Sequence, residues 1–253
     1  MTAKPPEGHD QMQRAVHADS SRSQPSSRPT VTFVADLVCP WCYIAFVRLQ
    51  RVMAGSGALL IWHPFLLNPY LPLEGVSRRH YLERKFGSLA QALAVHRRAA
   101  EVGAQEGIAF AFGAIDAQPN TLAAHALVMA ATGLGRGSAA AAALFRAFFV
   151  DGADLGRPDV LAGVASEVGL DPRNVAELTA EASLERIALA HEQAYAIGVT
   201  GVPVCRFGDD HVIAGAQPEE VLEALLDLEF YRLAVGPVPE SALLRDARPR
   251  SPR

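Results

Sequence analysis

The apolar positions of this chain change period along its length. "VTFVA", from Val31 to Ala35, is a continuous β-prone run of the kind a buried strand shows. After Cys39, "YIAFVRLQRVMAG" sets Ile44 and Val47, and Phe46, Leu49 and Met53, at helical spacings. Arg48 and Arg51 mark the wetter side of that helix, and Gly55 is its expected stop. "ALLIWHPFLL", from Ala58 to Leu67, reads as a second strand. Pro64 within it calls for an edge position or a bulge, because proline donates nothing to a ladder. Strand, helix and strand make a βαβ unit.

From about Arg78 to Ile197 the period is helical almost throughout. "PNTLAAHALVMAATG" is apolar nearly all round, which predicts a buried helix, with Asn120 or Thr121 as its cap behind Pro119. Strand character returns in "VPVCRF" and "HVIAG", separated by the turn signal "GDD". "QPEEVLEALLDLEFYRL" closes as a helix, with Pro218 near its first position and Glu219 and Glu220 in its first turn. The expected division is a disordered tail over 1–30, a β-α-β part over 31–77, a helical insertion over 78–197, a β-β-α part over 198–235, and a second tail over 236–253. The tail readings rest on Ser, Pro and Arg content with few large apolar side chains, which leaves too little to bury. No internal repeat is present.

Composition narrows this picture without redirecting it. The chain has 253 residues, half of them hydrophobic, enough for one sizeable core. A net charge of −4 points away from nucleic acid and anionic membranes as partners. No apolar run is long enough to span a bilayer, and the first thirty residues hold no hydrophobic segment of the export type, so the cytoplasm is the expected compartment. There are three cysteines, Cys39, Cys42 and Cys205, too few for a disulfide scaffold.

The chemistry concentrates in "LVCPWCYI". Zinc needs about four ligands, and one CxxC with a distant third cysteine and scattered histidines does not supply them. A purely structural disulfide gives no reason to sit between a strand and a helix. A redox pair does: at a helix N-terminus, unpaired backbone N–H groups and the helix dipole stabilise a Cys39 thiolate. Cys42, one turn further, lies on the same side and resolves a mixed disulfide. Pro40 removes a donor between them, and Trp41 shields the pair and offers an apolar contact. Downstream, "GVTGVPVCRF" starts a strand at Pro203, where a cis bond from Val202 is expected and where the Val202 backbone can pair with a substrate in β fashion.

With both ends in place, the sequence resembles the DsbA-like branch of the thioredoxin superfamily, and within it the FrnE-like cytoplasmic disulfide oxidoreductases. These are related to 2-hydroxychromene-2-carboxylate isomerase and kappa-class glutathione transferase. The matching segments are "DLVCPWCYIA", "PFLLNPYLPLEG", "NTLAAHAL", "LFRAFFVDGADL", "GVTGVPVCRF" and "IAGAQPEEVLEALL", in order over most of the chain. The resemblance implies an α/β, thioredoxin-like fold with a large all-helical insertion between the second and third strands. It implies Cys39 as nucleophile, Cys42 as resolving thiol and Pro203 as the cis-proline; the residues themselves make Pro40, Trp41 and Val202 the candidate substrate contacts. It implies no metal, and no cofactor beyond glutathione as a cosubstrate. The partner is a thiol or disulfide, protein or small molecule, and the chain is a monomer or homodimer. The isomerase and transferase relatives usually carry serine at the first cysteine position, so a cysteine at both positions favours redox chemistry. The rival readings are a glutathione-dependent isomerase or transferase, and a non-catalytic holdase.

The remaining candidates have plainer expectations. Cys205 reads as a small core thiol that stays reduced, on the strand face of Pro203. Asp36 is placed either to tune the thiol pair or to cap the helix after Cys39, and its short polar side chain beside a helix start favours the local cap. His63, His125 and His191 read as hydrogen-bonded scaffold residues. Asn68 fits a turn or the cleft wall. The backbone amides of Gly215, Ala216 and Gln217 are candidates for a glutathione carboxylate, opposed by Glu219 and Glu220.

Overall fold

The computed structural model describes residues 28–235; the expected second tail and residues 1–27 of the first fall outside them, whereas Arg28 and Pro29 are described and Thr30 already opens the first strand. Strand β1 (Thr30–Ala35) is followed by helix α1 (Pro40–Met53) and strand β2 (Leu59–Pro64). β1 and β2 pair in parallel, so α1 is the crossover of a βαβ unit. Strands β5 (Val204–Phe207) and β6 (His211–Ala214) and helix α9 (Glu219–Val235) complete this part of the molecule. The four strands form one sheet in the order β2-β1-β5-β6. β1 is central and apolar because both its faces are covered. β2 is an edge strand that ends at Pro64, which meets the demand that proline makes. The ladder continues one step past it, where the Phe65 N–H donates to the Ala35 carbonyl at 3.0 Å.

Between β2 and β5 lie helices α2 (Arg78–Phe86), α3 (Leu89–Gln105), α4 (Leu122–Thr132), α5 (Gly137–Phe149), α6 (Pro158–Glu167), α7 (Val175–Leu178) and α8 (Glu181–Ala196). The insertion is helical with one departure: β3 (Val76–Ser77) and β4 (Ala117–Gln118) pair as a small antiparallel ribbon. α4 is buried along most of its circumference, and Met129 is its exposed side. Its cap comes from Asn120, whose Oδ1 accepts the Leu122 N–H at 3.0 Å while its Nδ2 donates to the Leu71 carbonyl at 2.8 Å. The Thr121 hydroxyl caps nothing.

The sheet has two differently covered faces. Phe33 and Cys205 are register partners, and both join the large core cluster with α1, α4, α5 and α6. Val34 and Val204, also partners, face the other way and pack with Phe65 and with Ala194 of α8. The β5–β6 turn runs through Gly208, at φ 54°, where a Cβ would collide with the buried Glu229 carboxylate, so only glycine fits. No helix among the described residues is long and apolar enough to cross a membrane.

Candidate active site

The chain leaves β1 at Ala35 and makes a tight turn in which the Cys39 N–H donates to the Asp36 carbonyl at 3.1 Å. Cys39 then takes the N-cap position of α1, with extended backbone and no side-chain cap. Pro40 occupies the first turn, where a missing N–H costs nothing. The Cys42 and Tyr43 N–H groups both reach the Cys39 carbonyl, at 3.0 and 3.2 Å. Cys39 is 6% exposed and Cys42 is fully enclosed, so the first thiol alone can meet a substrate.

The second wall comes from the far end of the chain. The Val202–Pro203 peptide is cis, and the Val202 carbonyl lies 3.7 Å from the Cys39 sulfur as its acceptor. The structure therefore brings Cys39, Cys42, Val202 and Pro203 together, with the half-buried Pro40 and Trp41 beside them. All three cysteines are thiols.

The two thiols differ electrostatically. Cys39 is held below its ordinary value, chiefly by the hydrogen bond from the Cys42 thiol, against burial that pushes the other way. The Cys42 and Trp41 N–H groups add to the lowering, and the Asp36 charge opposes it. Cys42 is pushed well up, first by burial and then by its role as donor to Cys39; the Asp36 backbone amide counters part of this. Cys205, the register partner of Phe33, is pushed up to about 12 by burial, which disfavours its thiolate at neutral pH.

Asp36 does not cap α1. Its carboxylate, 1% exposed, turns back and accepts the Leu67 N–H at 2.8 Å and the Val38 N–H at 3.5 Å. The adjacent Leu66 N–H donates to His191 Nδ1 at 3.2 Å, so two consecutive amides pin the segment after β2. His125 Nδ1 accepts from Trp62 Nε1 at 3.1 Å, and His63 Nδ1 lies 3.2 Å from the Pro64 carbonyl. One of these histidines, His125, meets Asp36, its Nε2 3.4 Å from Oδ1, a contact that sequence reasoning missed. Trp62 and His125 are 63 positions apart, and no spacing could signal them.

Two open cavities of about 530 Å³ each flank the pinned segment. One is lined by Phe65, Leu67, Tyr70, His191, Tyr195 and Thr200. The other is lined by Asn68, Tyr70, His80, Tyr81, Arg84 and Lys85. Asn68 serves in the expected turn, where its carbonyl accepts the Leu71 N–H at 3.2 Å, and its side-chain Nδ2 is a buried donor with no hydrogen-bond partner. The amides proposed for a glutathione carboxylate are largely used internally. Gly215 N–H donates to the Pro203 carbonyl at 2.8 Å, and Gln217 N–H donates to the Gly215 carbonyl at 3.0 Å. Among the described residues, no group of three or more His, Cys, Asp or Glu side chains is arranged to hold a metal ion.

Comparison with known proteins agrees with this geometry. The family model for the DSBA-like thioredoxin domain matches residues 30–227. The Bacillus subtilis protein YwbO is 26% identical over 203 residues, which cover 77% of this chain and 94% of YwbO. A solved Streptomyces coelicolor structure, described as a probable DsbA oxidoreductase, is 27% identical with a TM-score of 0.72, over 81% of this chain and 91% of that one. The cytosolic disulfide reductase DsbM of Pseudomonas aeruginosa shares the fold at 24% identity, with a TM-score of 0.59 over 79% of this chain and 99% of DsbM.

Proposed function

Since the chain belongs to the DSBA-like thioredoxin domain family, we propose that it is a thiol–disulfide oxidoreductase cycling Cys39 and Cys42 between dithiol and disulfide. The observation that carries the reading is the asymmetry of the pair. Cys39 is the lowered thiol at a helix N-terminus, beside the Val202 carbonyl, and Cys42 is the sealed donor behind it. The Cys39 thiolate attacks one sulfur of a substrate disulfide. The substrate S–S bond breaks, a mixed disulfide forms, and the departing thiolate takes up a proton. Cys42 then loses its proton and attacks the Cys39 sulfur, which releases the second substrate thiol. Two electrons have passed to the substrate, and the enzyme holds a Cys39–Cys42 disulfide. A thiol reductant, with glutathione the proposed cosubstrate, restores the dithiol by the same two exchanges in reverse. Glutathione enters here as an attacking thiol, because the Gly215 and Gln217 amides are already engaged.

Reduction of a protein disulfide such as insulin, followed with Cys39→Ser and Cys42→Ser variants, tests this. Cys39→Ser is expected to be inert. Cys42→Ser is expected to stop after the first exchange and to accumulate a mixed disulfide on Cys39. Full turnover by Cys42→Ser would transfer the reading to single-thiol glutathione chemistry.

A further inference from the structure

A buried chain of polar groups runs behind the thiol pair, and thiol exchange as described makes no use of it. Trp62 Nε1 donates to His125 Nδ1 at 3.1 Å. That bond makes Nδ1 the acceptor and assigns the ring proton to Nε2. His125 is fully buried, and its Nε2 has no hydrogen bond of good geometry. It faces the Asp36 carboxylate, with Oδ1 at 3.4 Å. A buried N–H pays a desolvation cost unless it is matched, and the carboxylate is the matching group at hand. The same carboxylate sits three residues before the nucleophile, in the turn that the Cys39 N–H closes.

We propose that Trp62, His125 and Asp36 act as one unit, in which His125 is the positioning residue that holds the Asp36 charge against the two thiols and thereby biases the pair toward the reducing direction. The inference rests on the redox reading above. Its electrostatics are direct. The dithiol form carries a thiolate at Cys39, whereas the disulfide is neutral. A fixed negative charge nearby raises the free energy of the thiolate and leaves the disulfide untouched. A less stable reduced form gives its electrons away more readily. Behind the Cys42 hydrogen bond that lowers Cys39, and the burial that raises Cys42, the Asp36 charge pushes both thiols up. The other titratable groups around the unit are His63 on β2 and His191 on α8. Both imidazoles are held below their ordinary value, by burial first.

The test reads the pH at which Cys39 is half-maximally alkylated by iodoacetamide, site by site in a mass spectrometer, and the dithiol–disulfide equilibrium in glutathione buffers. Asp36→Asn is expected to lower the alkylation half-point by about one pH unit and to move the equilibrium toward the dithiol. His125→Leu is expected to shift both in the same direction. His125→Gln, whose amide can accept from Trp62 and donate to Asp36, is expected to restore them. The Asp36→Asn/His125→Leu double variant is expected to shift no further than Asp36→Asn alone. A His125→Leu profile that superimposes on the wild type, or full additivity in the double variant, overturns the proposal and leaves His125 a packing residue. Should His125→Leu fail to fold, Trp62→Phe keeps an aromatic ring at the site and removes the Nε1–H together with part of the indole. It is expected to give a smaller shift of the same sign, and no shift there is equally fatal. Alkylation needs no turnover. A wild type that never forms a Cys39–Cys42 disulfide would sink the redox reading separately, with the profiles still reporting on the unit.

Discussion

His96 is buried on α3, its ring stacked on Phe112 with centroids 4.3 Å apart and its Nε2 3.5 Å from the Arg78 guanidinium. Burial first, and the Arg78 charge second, hold the imidazole down to about 4. Below pH 6.5, its ordinary value, the unfolded chain takes up a proton that the folded chain refuses until about pH 4. The contribution of His96 to stability is therefore complete above pH 6.5 and is lost as the pH falls across that window. His96→Phe keeps the stack and removes the titration. Urea midpoints measured between pH 7 and pH 4 are expected to fall less steeply for the variant than for the wild type. Parallel pH dependences would assign the acid sensitivity elsewhere. At this scale the sequence is legible where function is local. Cys39, Pro40, Trp41 and Cys42 lie within four positions, and Val202 and Pro203 are adjacent. It is silent where a side chain's partner arrives from another element, as for Asp36, read as a helix cap and found holding the Leu67 amide 31 positions away.

At the scale of the element, α1 shows what a periodic pattern can and cannot specify. The apolar spacing places Ile44, Phe46 and Leu49 in the core, where the structure has them. It also marks Arg48 and Arg51 as the wetter side, yet the Arg48 side chain is only 14% exposed. Its Nε donates to Glu106 Oε1 at 2.8 Å, and one terminal nitrogen donates to the Ala216 and Gln217 carbonyls at 2.8 and 3.0 Å. Arg51 bridges Glu106 to Glu219. The cluster thus ties the helix that carries the thiols to the end of α3 and to the segment entering α9. A pattern of polar positions cannot tell a solvated charge from one paired across three elements. Nor can it find β3 and β4, which at two residues each are too short to express an alternation. Arg48→Ala leaves two carbonyls and part of the Glu106 carboxylate without donors. Chemical denaturation is expected to register a loss of roughly 2 kcal/mol, reduced from a fully buried pair by solvent access. A change below about 0.5 kcal/mol would make the cluster an ordinary surface network.

The sheet and the inserted helices were separable in the sequence as a change of period, but the way they fuse was not. Phe145 of α5 is fully buried and joins them. Its ring stacks on Tyr43 of α1 at 5.0 Å, meets Phe46 at 5.6 Å, and reaches Trp62 of β2 at 6.1 Å. One cluster of buried side chains runs continuously from β1 through α1, α4, α5 and α6 to α9. A core shared in this way leaves neither part able to keep its apolar face covered alone, which predicts a single cooperative transition. The chain reports on its two parts separately. Trp41 and Trp62, its two tryptophans, belong to the strand–helix–strand unit, whereas far-UV dichroism is dominated by the inserted helices. Urea unfolding followed by tryptophan fluorescence and by dichroism is expected to give superimposable curves. Phe145→Ala opens a cavity where the two parts meet, and is expected to lower stability by about 4 kcal/mol while moving both curves together. Curves that separate in the wild type would mean that the inserted helices form an independent unit. Curves that separate only in Phe145→Ala would mean that this ring is what couples the inserted helices to the sheet that carries the thiols.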